Sequence, residues 1–350
     1  MKRMAGLSIL CCFPFLGVMA QPPGQQAVVP LPALGADMKR VTVSGIDAGG
    51  FMAGQLATAF SRHFRGIGVI GAGPYFCAGT YSARSTLENV VTACTAPASP
   101  ALGAGGDIAW QKAREFAAAG QIDPLAHLRR QRVYVFSGAG DRVVAPAVSA
   151  QVARFYRLAG AAPAQIQHAR HLRAGHGFAT DNPDDLPCDA GKAPFFINCG
   201  FNGAHELLRH LHPGMRRAPV ATGAVTGKLL RVDQAAFAGS AQAGMDATAY
   251  LFVPKACTGG KCAVHVALHG CQQAASQVAG RFYQHLGYNG FADPNRLIVL
   301  YPQVRVSREN PQGCWDFWGY STGDTSFATR AAPQMRAIMA MLDRLEQRRK

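Results

Sequence analysis

Three residues in the first half of the chain have the types and the order of a hydrolytic triad. Residues 45–49 read GIDAG, which matches the G-x-S-x-G nucleophile motif except that Asp47 stands at its centre. Asp141 and His176 follow, the histidine between two glycines. In such triads the acid orients the histidine and the histidine moves the proton during acyl transfer. The pattern predicts Asp141 as the acid, His176 as the base and Asp47 at the nucleophile position.

The elements around these residues are predicted to bring them to one edge of a sheet. Residues 41–44 alternate in β-branched side chains and predict a strand, and residues 49–60 predict the helix that follows the Asp47 turn. Further strands over 132–138 and 166–172 precede Asp141 and His176. Because ligands and catalytic groups gather at the carboxyl edge of an open α/β sheet, we expect the three side chains to meet there.

The rest of the chain continues the alternation of strands and helices. Additional strands are predicted over 66–73, 249–254, 263–270 and 297–302, and the second and third of these are predicted to pair. Helices are predicted over 107–120, 146–158, 277–286 and 333–346. This alternation indicates an α/β fold with a mainly parallel sheet flanked by helices.

A second glycine-containing motif predicts where an oxyanion is stabilised. Residues 268–272 read LHGCQ, a His-Gly motif of the kind that supplies an oxyanion-hole amide in α/β-hydrolases. The motif follows the triad residues instead of preceding the nucleophile, which predicts a circularly permuted α/β-hydrolase. Metal coordination by His269 is the competing interpretation, but no cluster of partner ligands accompanies it.

The first residues and the cysteines indicate an exported protein. Lys2 and Arg3 precede an apolar run over 7–19, which predicts a signal peptide over residues 1–20 and a secreted protein, extracellular or periplasmic. That run is too short for a membrane span, and none is expected elsewhere. Residues 21–350 are predicted to form a single catalytic-type domain.

Eight cysteines follow the predicted signal peptide, and an even number in an exported chain favours disulfides. Proximity along the chain suggests three local pairs and leaves a fourth, although sequence alone does not fix the connectivity. The zinc alternative lacks a C-x-x-C pair. The suggested pairs are Cys77–Cys94, Cys188–Cys199, Cys257–Cys262 and Cys271–Cys314.

The chain is basic, with 35 Lys and Arg against 20 Asp and Glu and a formal net charge of +15. Nucleic-acid binding is one interpretation of such a charge. The basic residues are scattered, however, and no nucleic-acid motif accompanies them, so no nucleic-acid partner is predicted. No cofactor and no metal are predicted either.

Four segments together resemble one family. Residues 43–53, 267–272, 300–303 and 310–320 are similar, in the same order and with matching cysteines, to secreted poly(3-hydroxybutyrate) depolymerases with a circularly permuted catalytic domain. The resemblance implies hydrolysis of short-chain hydroxyalkanoate polyester or its oligomers. It also implies that Ala48 and Cys271 supply the oxyanion-hole amides. By the same resemblance Trp315, Trp318 and Tyr320 line the substrate cleft, although as core residues they would look the same in the sequence.

Asp47 departs from the family pattern, which has serine there, and leaves three functions open. The protein is an ester hydrolase of this type, a catalytically silenced homologue that binds polyester or another ligand, or an Asp-nucleophile hydrolase resembling dehalogenases and epoxide hydrolases. In the silenced case, Asp47 would pair with His176 and hold it protonated. Residues 319–323 read GYSTG and match the elbow motif by letter, but no strand precedes them, so Ser321 is not predicted to be the nucleophile.

Overall fold

A mostly parallel sheet of eight strands with helices on both faces forms the centre of the computed structural model, which describes residues 26–348. The strands are β1 (Val41–Ile46), β2 (Phe64–Ile70), β3 (Arg132–Gly138), β4 (Ile166–His171), β5 (Phe178–Thr180), β6 (Leu186–Pro187), β7 (Phe196–Asn198), β8 (Lys228–Asp233), β9 (Thr248–Val253), β10 (Ala263–Leu268) and β11 (Leu297–Tyr301). The helices are α1 (Ala48–Ala59), α2 (Thr86–Asn89), α3 (Gly106–Ala118), α4 (Pro146–Leu158), α5 (Gly203–Leu211), α6 (Ala235–Ala238), α7 (Ala275–Val278), α8 (Tyr288–Asn295) and α9 (Pro333–Glu346).

The order of strands in the sheet differs from their order in the chain. The main sheet runs β4-β3-β2-β1-β10-β11-β9-β8, and a small sheet runs β5-β7-β6. Neighbours from β4 to β11 are parallel, whereas β9 is antiparallel to β11 and β8 to β9. The first strand of the chain thus lies in the middle of the sheet, beside a strand from late in the chain. The predicted circular permutation requires this order.

The central strands are buried because both faces of the sheet are covered. Every residue of β1, β10 and β11 is buried, as is typical of parallel strands between two layers of helices. One apolar cluster packs α1 and α9 against the sheet, and the other packs α5 and α8 against its opposite face. The sheet can therefore hold the loops at its carboxyl edge in fixed positions.

Two predicted elements differ from the structure. The strands predicted over 249–254 and 263–270 form β9 and β10 but do not pair, because β11 lies between them and bonds to both. The helix predicted over 277–286 is interrupted: α7 ends at Val278, Ala279 has a positive φ of 51°, and a π-helical turn follows over Arg281–His285. A positive φ is incompatible with a continuing right-handed helix.

Disulfides join four pairs of cysteines in the described part of the chain: Cys77–Cys94, Cys188–Cys199, Cys257–Cys262 and Cys271–Cys314. These are the pairs suggested by their order in the sequence. Within residues 26–348 the structure has no helix that is both long enough and apolar enough to cross a bilayer. The predicted signal peptide lies outside the described residues.

Candidate active site

Asp47 lies at the tip of a tight turn between β1 and α1. Its φ of 53° and ψ of −127° are unusual for a residue with a side chain, and such strain is typical of functional turns. The turn is held by the Asp47 N–H, which donates to Ile70 O at 2.9 Å, and by the Phe51 N–H, which donates to Asp47 O at 3.0 Å. A Cβ on Gly45 would lie 2.2 Å from Gly49 O, so the turn requires glycine at that position.

His176 is oriented by a buried aspartate. Its Nδ1 donates to Asp141 Oδ2 at 2.8 Å, and both side chains are 2% exposed. The other carboxylate oxygen, Oδ1, accepts the N–H groups of Val143 and Val144 at 2.9 and 2.8 Å. Because Asp141 is fixed by the backbone, it holds the His176 ring in one orientation, with Nε2 directed away from it.

The free nitrogen of His176 faces Asp47. The distance from His176 Nε2 to Asp47 Oδ1 is 4.0 Å, and the Asp47 side chain is 16% exposed. Burial alone lowers the pKa of His176, but the hydrogen bond and charge of Asp141 and the charge of Asp47 outweigh it, and the net pKa is raised above the ordinary value. The ring is consequently stabilised as a cation between two carboxylates.

A backbone amide from a distant loop completes the site. The Cys271 N–H donates to Asp47 Oδ2 at 3.0 Å. Ala48 is the first residue of α1, so its amide lies at the positive end of the helix dipole beside Asp47. The structure therefore brings Asp47, Asp141, His176, Ala48 and Cys271 to one place. Two backbone amides with a histidine base are the elements that stabilise and protonate an acyl-transfer intermediate.

Gln273 holds the loop that carries Cys271, and no sequence motif marked it. Its Oε1 accepts the Gly270 N–H at 2.8 Å, and its Nε2 donates to Pro194 O at 2.9 Å. The side chain is 1% exposed, so these bonds form in a dry environment where they are strong. The amide side chain thus connects the loop after β10 to the segment that follows His176.

His269 forms hydrogen bonds that hold the backbone around it in place. The Val304 N–H donates to its Nε2 at 3.3 Å, so its Nδ1 carries the proton and donates to Gly270 O at 2.8 Å. Burial lowers the pKa of His269 to about 4. Both ring nitrogens are occupied by backbone groups, which favours a neutral residue that shapes the loop over the alternative of a metal ligand.

The three aromatic residues assigned to the cleft differ in exposure. Trp315 is fully buried and packs on His269 with ring centroids 5.5 Å apart. Trp318 and Tyr320 are partly exposed and pack on each other at 5.0 Å. Phe195, which sequence reasoning missed, is also partly exposed and lies edge-on to His176 at 5.4 Å. A ligand at the surface can therefore contact Trp318, Tyr320 and Phe195. Trp315 is buried and contributes to the packing of the loop.

Asp316 organises the aromatic loop, and sequence reasoning missed it too. Its Oδ1 accepts the N–H groups of Trp318, Gly319 and Tyr320, and its Oδ2 accepts the Ser321 N–H and hydroxyl. Ser321 thus uses its hydroxyl to bond Asp316, and no strand precedes it. Its arrangement is unlike a nucleophile elbow.

One group in residues 26–348 has the clustering of a metal site, namely His171 with Cys188 and Cys199. The two cysteines are joined in a disulfide, so their sulfur atoms are not thiolate ligands.

Comparison with known proteins finds close relatives. No protein-family model matches the chain. A poly(3-hydroxybutyrate) depolymerase from Delftia acidovorans is 36% identical over 323 residues, which cover 91% of this chain and 62% of that protein. A polyhydroxybutyrate depolymerase from Talaromyces funiculosus is 33% identical over 316 residues, which cover 85% of this chain and 87% of that protein. The chain thus spans less than two thirds of the first relative and most of the second.

Two solved structures share the fold. The crystal structure of PHB depolymerase from Penicillium funiculosum matches with a TM-score of 0.79 and 31% identity, covering 91% of this chain and 99% of that chain. A serine-to-alanine variant of a PHB depolymerase, complexed with an R3HB trimer, matches with a TM-score of 0.80 and 31% identity, and the match again covers 91% of this chain and 99% of that chain. The predicted α/β-hydrolase fold is confirmed by these matches. Together with the sequence relatives they show that the chain belongs to the poly(3-hydroxybutyrate) depolymerase family.

Proposed function

We propose that this protein is a secreted carboxylic-ester hydrolase of the polyhydroxybutyrate depolymerase type, which cleaves short-chain hydroxyalkanoate polyester or its oligomers. The observation that carries the proposal is the convergence of the Asp141–His176 pair, the Asp47 turn and the Cys271 amide at one edge of the sheet. The relatives named as depolymerases and the complex with an R3HB trimer support the substrate class.

In this proposal His176, oriented by Asp141, moves the proton, and the amides stabilise the intermediate. Asp141 holds the Nδ1 proton of His176, so Nε2 is the group that exchanges a proton with the reacting atoms. The Cys271 and Ala48 amides would donate to the oxyanion that forms on the ester carbonyl. Trp318, with its neighbour Tyr320, offers an apolar surface to the polyester chain.

Asp47 determines which group attacks the ester. A carboxylate that attacked the carbonyl would form an anhydride while expelling an alkoxide, a far stronger base, so this route is slow. Water is the better attacking group: the neutral form of His176, whose share is reduced by the raised pKa, takes a proton from it at Nε2, the hydroxide adds to the carbonyl, and the imidazolium returns the proton to the departing alkoxide. We assign Asp47 to the position at which the family has serine, and we expect this aspartate to lower the rate of ester hydrolysis strongly.

A second candidate function rests on the bond between Asp47 and Cys271. Because Asp47 Oδ2 already accepts the Cys271 N–H, the carboxylate occupies a donor that an oxyanion would need. This arrangement favours a homologue that binds hydroxyalkanoate oligomers without cleaving them. The two candidates share the binding cleft and differ in turnover.

Hydrolysis of an (R)-3-hydroxybutyrate trimer by the purified protein separates the candidates. We expect slow turnover that His176→Ala abolishes, and turnover by Asp47→Ser that is higher by about 100-fold or more, since a nucleophile and its base act as a unit. The control Asp343→Ser removes an exposed carboxylate from α9 and leaves the rate unchanged. Trimer binding without turnover would instead identify the silenced homologue. Release of halide or diol products from haloalkane or epoxide substrates would identify an Asp-nucleophile hydrolase.

A further inference from the structure

Five arginines line one cavity at the edge of the main sheet opposite Asp47. The cavity has a volume of about 440 Å³ and is lined by Arg40, Arg65, Arg216, Arg217 and Arg296 among other residues. Arg40 directly precedes β1, Arg65 lies near the start of β2, and Arg296 directly precedes β11. Asp47 follows the other end of β1, a strand of six residues that spans roughly 20 Å. This arginine cavity is therefore separate from the candidate active site.

The remaining lining of the cavity carries no acidic residue. It consists of Leu211, His212, Pro213, Gly214, Met215, Pro294 and Asn295. Asp37, just outside the lining, accepts from Arg40 Nε at 2.8 Å and offsets part of one charge. The cavity wall therefore holds several positive charges in a concave surface, where the field is focused and anions are attracted.

Hydrogen bonds to backbone carbonyl oxygens position Arg40 and Arg65 and use only some of their guanidinium N–H donors. Arg40 also donates to Lys261 O at 2.7 Å, and Arg65 Nε donates to Lys39 O at 3.0 Å. A guanidinium has five N–H donors, so these contacts leave further donors on Arg40 and Arg65 for a ligand.

The loop that carries Arg216 and Arg217 is fixed at its base. Asn295 Oδ1 accepts the Arg217 N–H at 3.1 Å, and Asn295 Nδ2 donates to Arg217 O at 3.0 Å. His212, at the end of α5, is anchored by its Nε2 to Thr42 Oγ1 at 2.8 Å. Burial and the charge of Arg40 lower the pKa of His212 to about 4, so this wall residue is neutral. The cavity is thus formed in advance of binding, which reduces the entropy lost when a ligand is ordered.

We propose that the arginine cavity binds a multivalent oxyanion of the phosphate class, such as a pyrophosphate group. Guanidinium forks bond phosphate oxygens in pairs, which makes arginine the usual residue for this recognition. A multivalent anion also neutralises several neighbouring charges at once, whereas a single carboxylate neutralises one. A soluble polyphosphate and the phosphomonoester headgroup of phosphatidic acid share this chemistry.

Calorimetric titration with inorganic pyrophosphate at low ionic strength tests the proposal. We expect saturable binding with one site per chain, weakened by about tenfold or more in the double variant Arg216→Gln/Arg217→Gln, because two of the phosphate-binding forks are lost. The single variants should each weaken binding by about threefold. Both positions are exposed, so thermal melting should show that the variants remain folded.

A matched double variant separates this site from the general charge of the protein. Arg114→Gln/Arg157→Gln removes two exposed charges from α3 and α4, away from the cavity, and should leave pyrophosphate affinity within about twofold. Equal weakening in both double variants would overturn the proposal, as would the absence of pyrophosphate binding at millimolar concentration together with no binding to anionic vesicles.

Vesicle sedimentation distinguishes the two sources of phosphate. Binding to phosphatidic acid vesicles, but not to phosphatidylcholine vesicles, that is lost in Arg216→Gln/Arg217→Gln would assign a lipid headgroup. Pyrophosphate binding without vesicle binding would assign a soluble anion. Each measurement is independent of ester hydrolysis, so it stands whether or not the proposed hydrolase activity is found.

Discussion

His176 lies between two carboxylates, and its protonation reports on both. Its pKa is raised above the ordinary 6.5 against the effect of burial, by Asp141 and then by Asp47. We therefore expect the imidazole resonances of His176 to titrate above 6.5 in the protein as it stands. In Asp47→Ser the pKa should fall, because one of the two favourable charges is removed, and in Asp141→Asn it should fall further. Titration followed by NMR measures all three, and an unchanged pKa in Asp47→Ser would contradict the pairing.

The same shift has a consequence for stability. A pKa that is higher in the folded than in the unfolded protein stabilises the fold fully below the unfolded value, and the stabilisation is lost as the pH rises through the folded value. The unfolding free energy should therefore decline over the range just above pH 6.5, and decline less in Asp47→Ser. Urea denaturation at a series of pH values measures both slopes, and a steeper decline in the variant would be inconsistent with this account.

Replacing Asp316 should lower the free energy of unfolding strongly. Its carboxylate is 3% exposed and accepts four backbone N–H groups as well as the Ser321 hydroxyl. Asp316→Ala leaves buried donors without an acceptor, at about 1–3 kcal/mol each, so we expect a loss of at least about 3 kcal/mol in the free energy of unfolding. Asp324→Ala, in the same loop but exposed, should cost about 1 kcal/mol or less. Chemical denaturation compares them, and equal losses would argue against the bonding role of Asp316.

At the scale of elements, α1 approaches β10 so closely that only glycine fits at the contact. A Cβ on Gly49 would lie 2.5 Å from Leu268 O, at the end of β10, and 2.3 Å from His269 O, in the loop that carries Cys271. Gly49→Ala should therefore destabilise the protein by about 1–3 kcal/mol and displace the Cys271 amide from Asp47.

Gly54 in the same helix is the matched control. A Cβ there would meet nothing within 4 Å, so Gly54→Ala should be neutral or stabilising by up to about 1 kcal/mol. Thermal melting of the two variants provides the comparison, and a Gly49→Ala variant as stable as Gly54→Ala would show that α1 and β10 can separate freely.

The elements that could be predicted from the sequence are those with strong local signals. The predicted bounds of β3, α4 and α9 coincide with the structure, since proline begins both helices and apolar residues recur at helical spacing in α9. The edge strand β8 was missed because five of its six residues are exposed or partly exposed. The pairing of β9 with β10 was wrong because adjacency in sequence does not reveal that β11 enters between them.

The same contrast holds for the candidate site. Asp47, Asp141 and His176 could be placed together because each follows a predicted strand and therefore lies at the carboxyl edge. Gln273 and Asp316 could not be found, because their importance lies in hydrogen bonds to backbone groups that only the folded chain assembles. The exposure of Trp318 against the burial of Trp315 also depends on tertiary packing, since residues 315–318 form an irregular loop without a periodic pattern.

At the scale of the whole molecule, the disulfides differ in how much chain they close. Cys271–Cys314 joins residues 43 apart and ties the loop beside Asp47 to the aromatic loop, whereas Cys257–Cys262 joins residues 5 apart. Because longer closed loops restrict the unfolded chain more, replacing the first pair by serines should cost about 4 kcal/mol and the second about 2 kcal/mol. Urea denaturation compares the unfolding free energies of the two double variants. A larger loss for the Cys257–Cys262 pair would show that contacts in the folded protein, and not the length of the closed loop, determine how much each disulfide stabilises.

The central position of β1 determines when the fold can be completed. Ser44 on β1 bonds His265 on β10, and the two residues are 221 positions apart in the sequence. Contacts of such separation slow folding, because a long loop must close before they form. The strand that leads to Asp47 is synthesised early, but the backbone N–H and C=O groups along one of its edges stay unpaired until β10 is in place. Until then that edge is open to pairing with other chains, and the delay follows from the connectivity of the fold and not from its final stability.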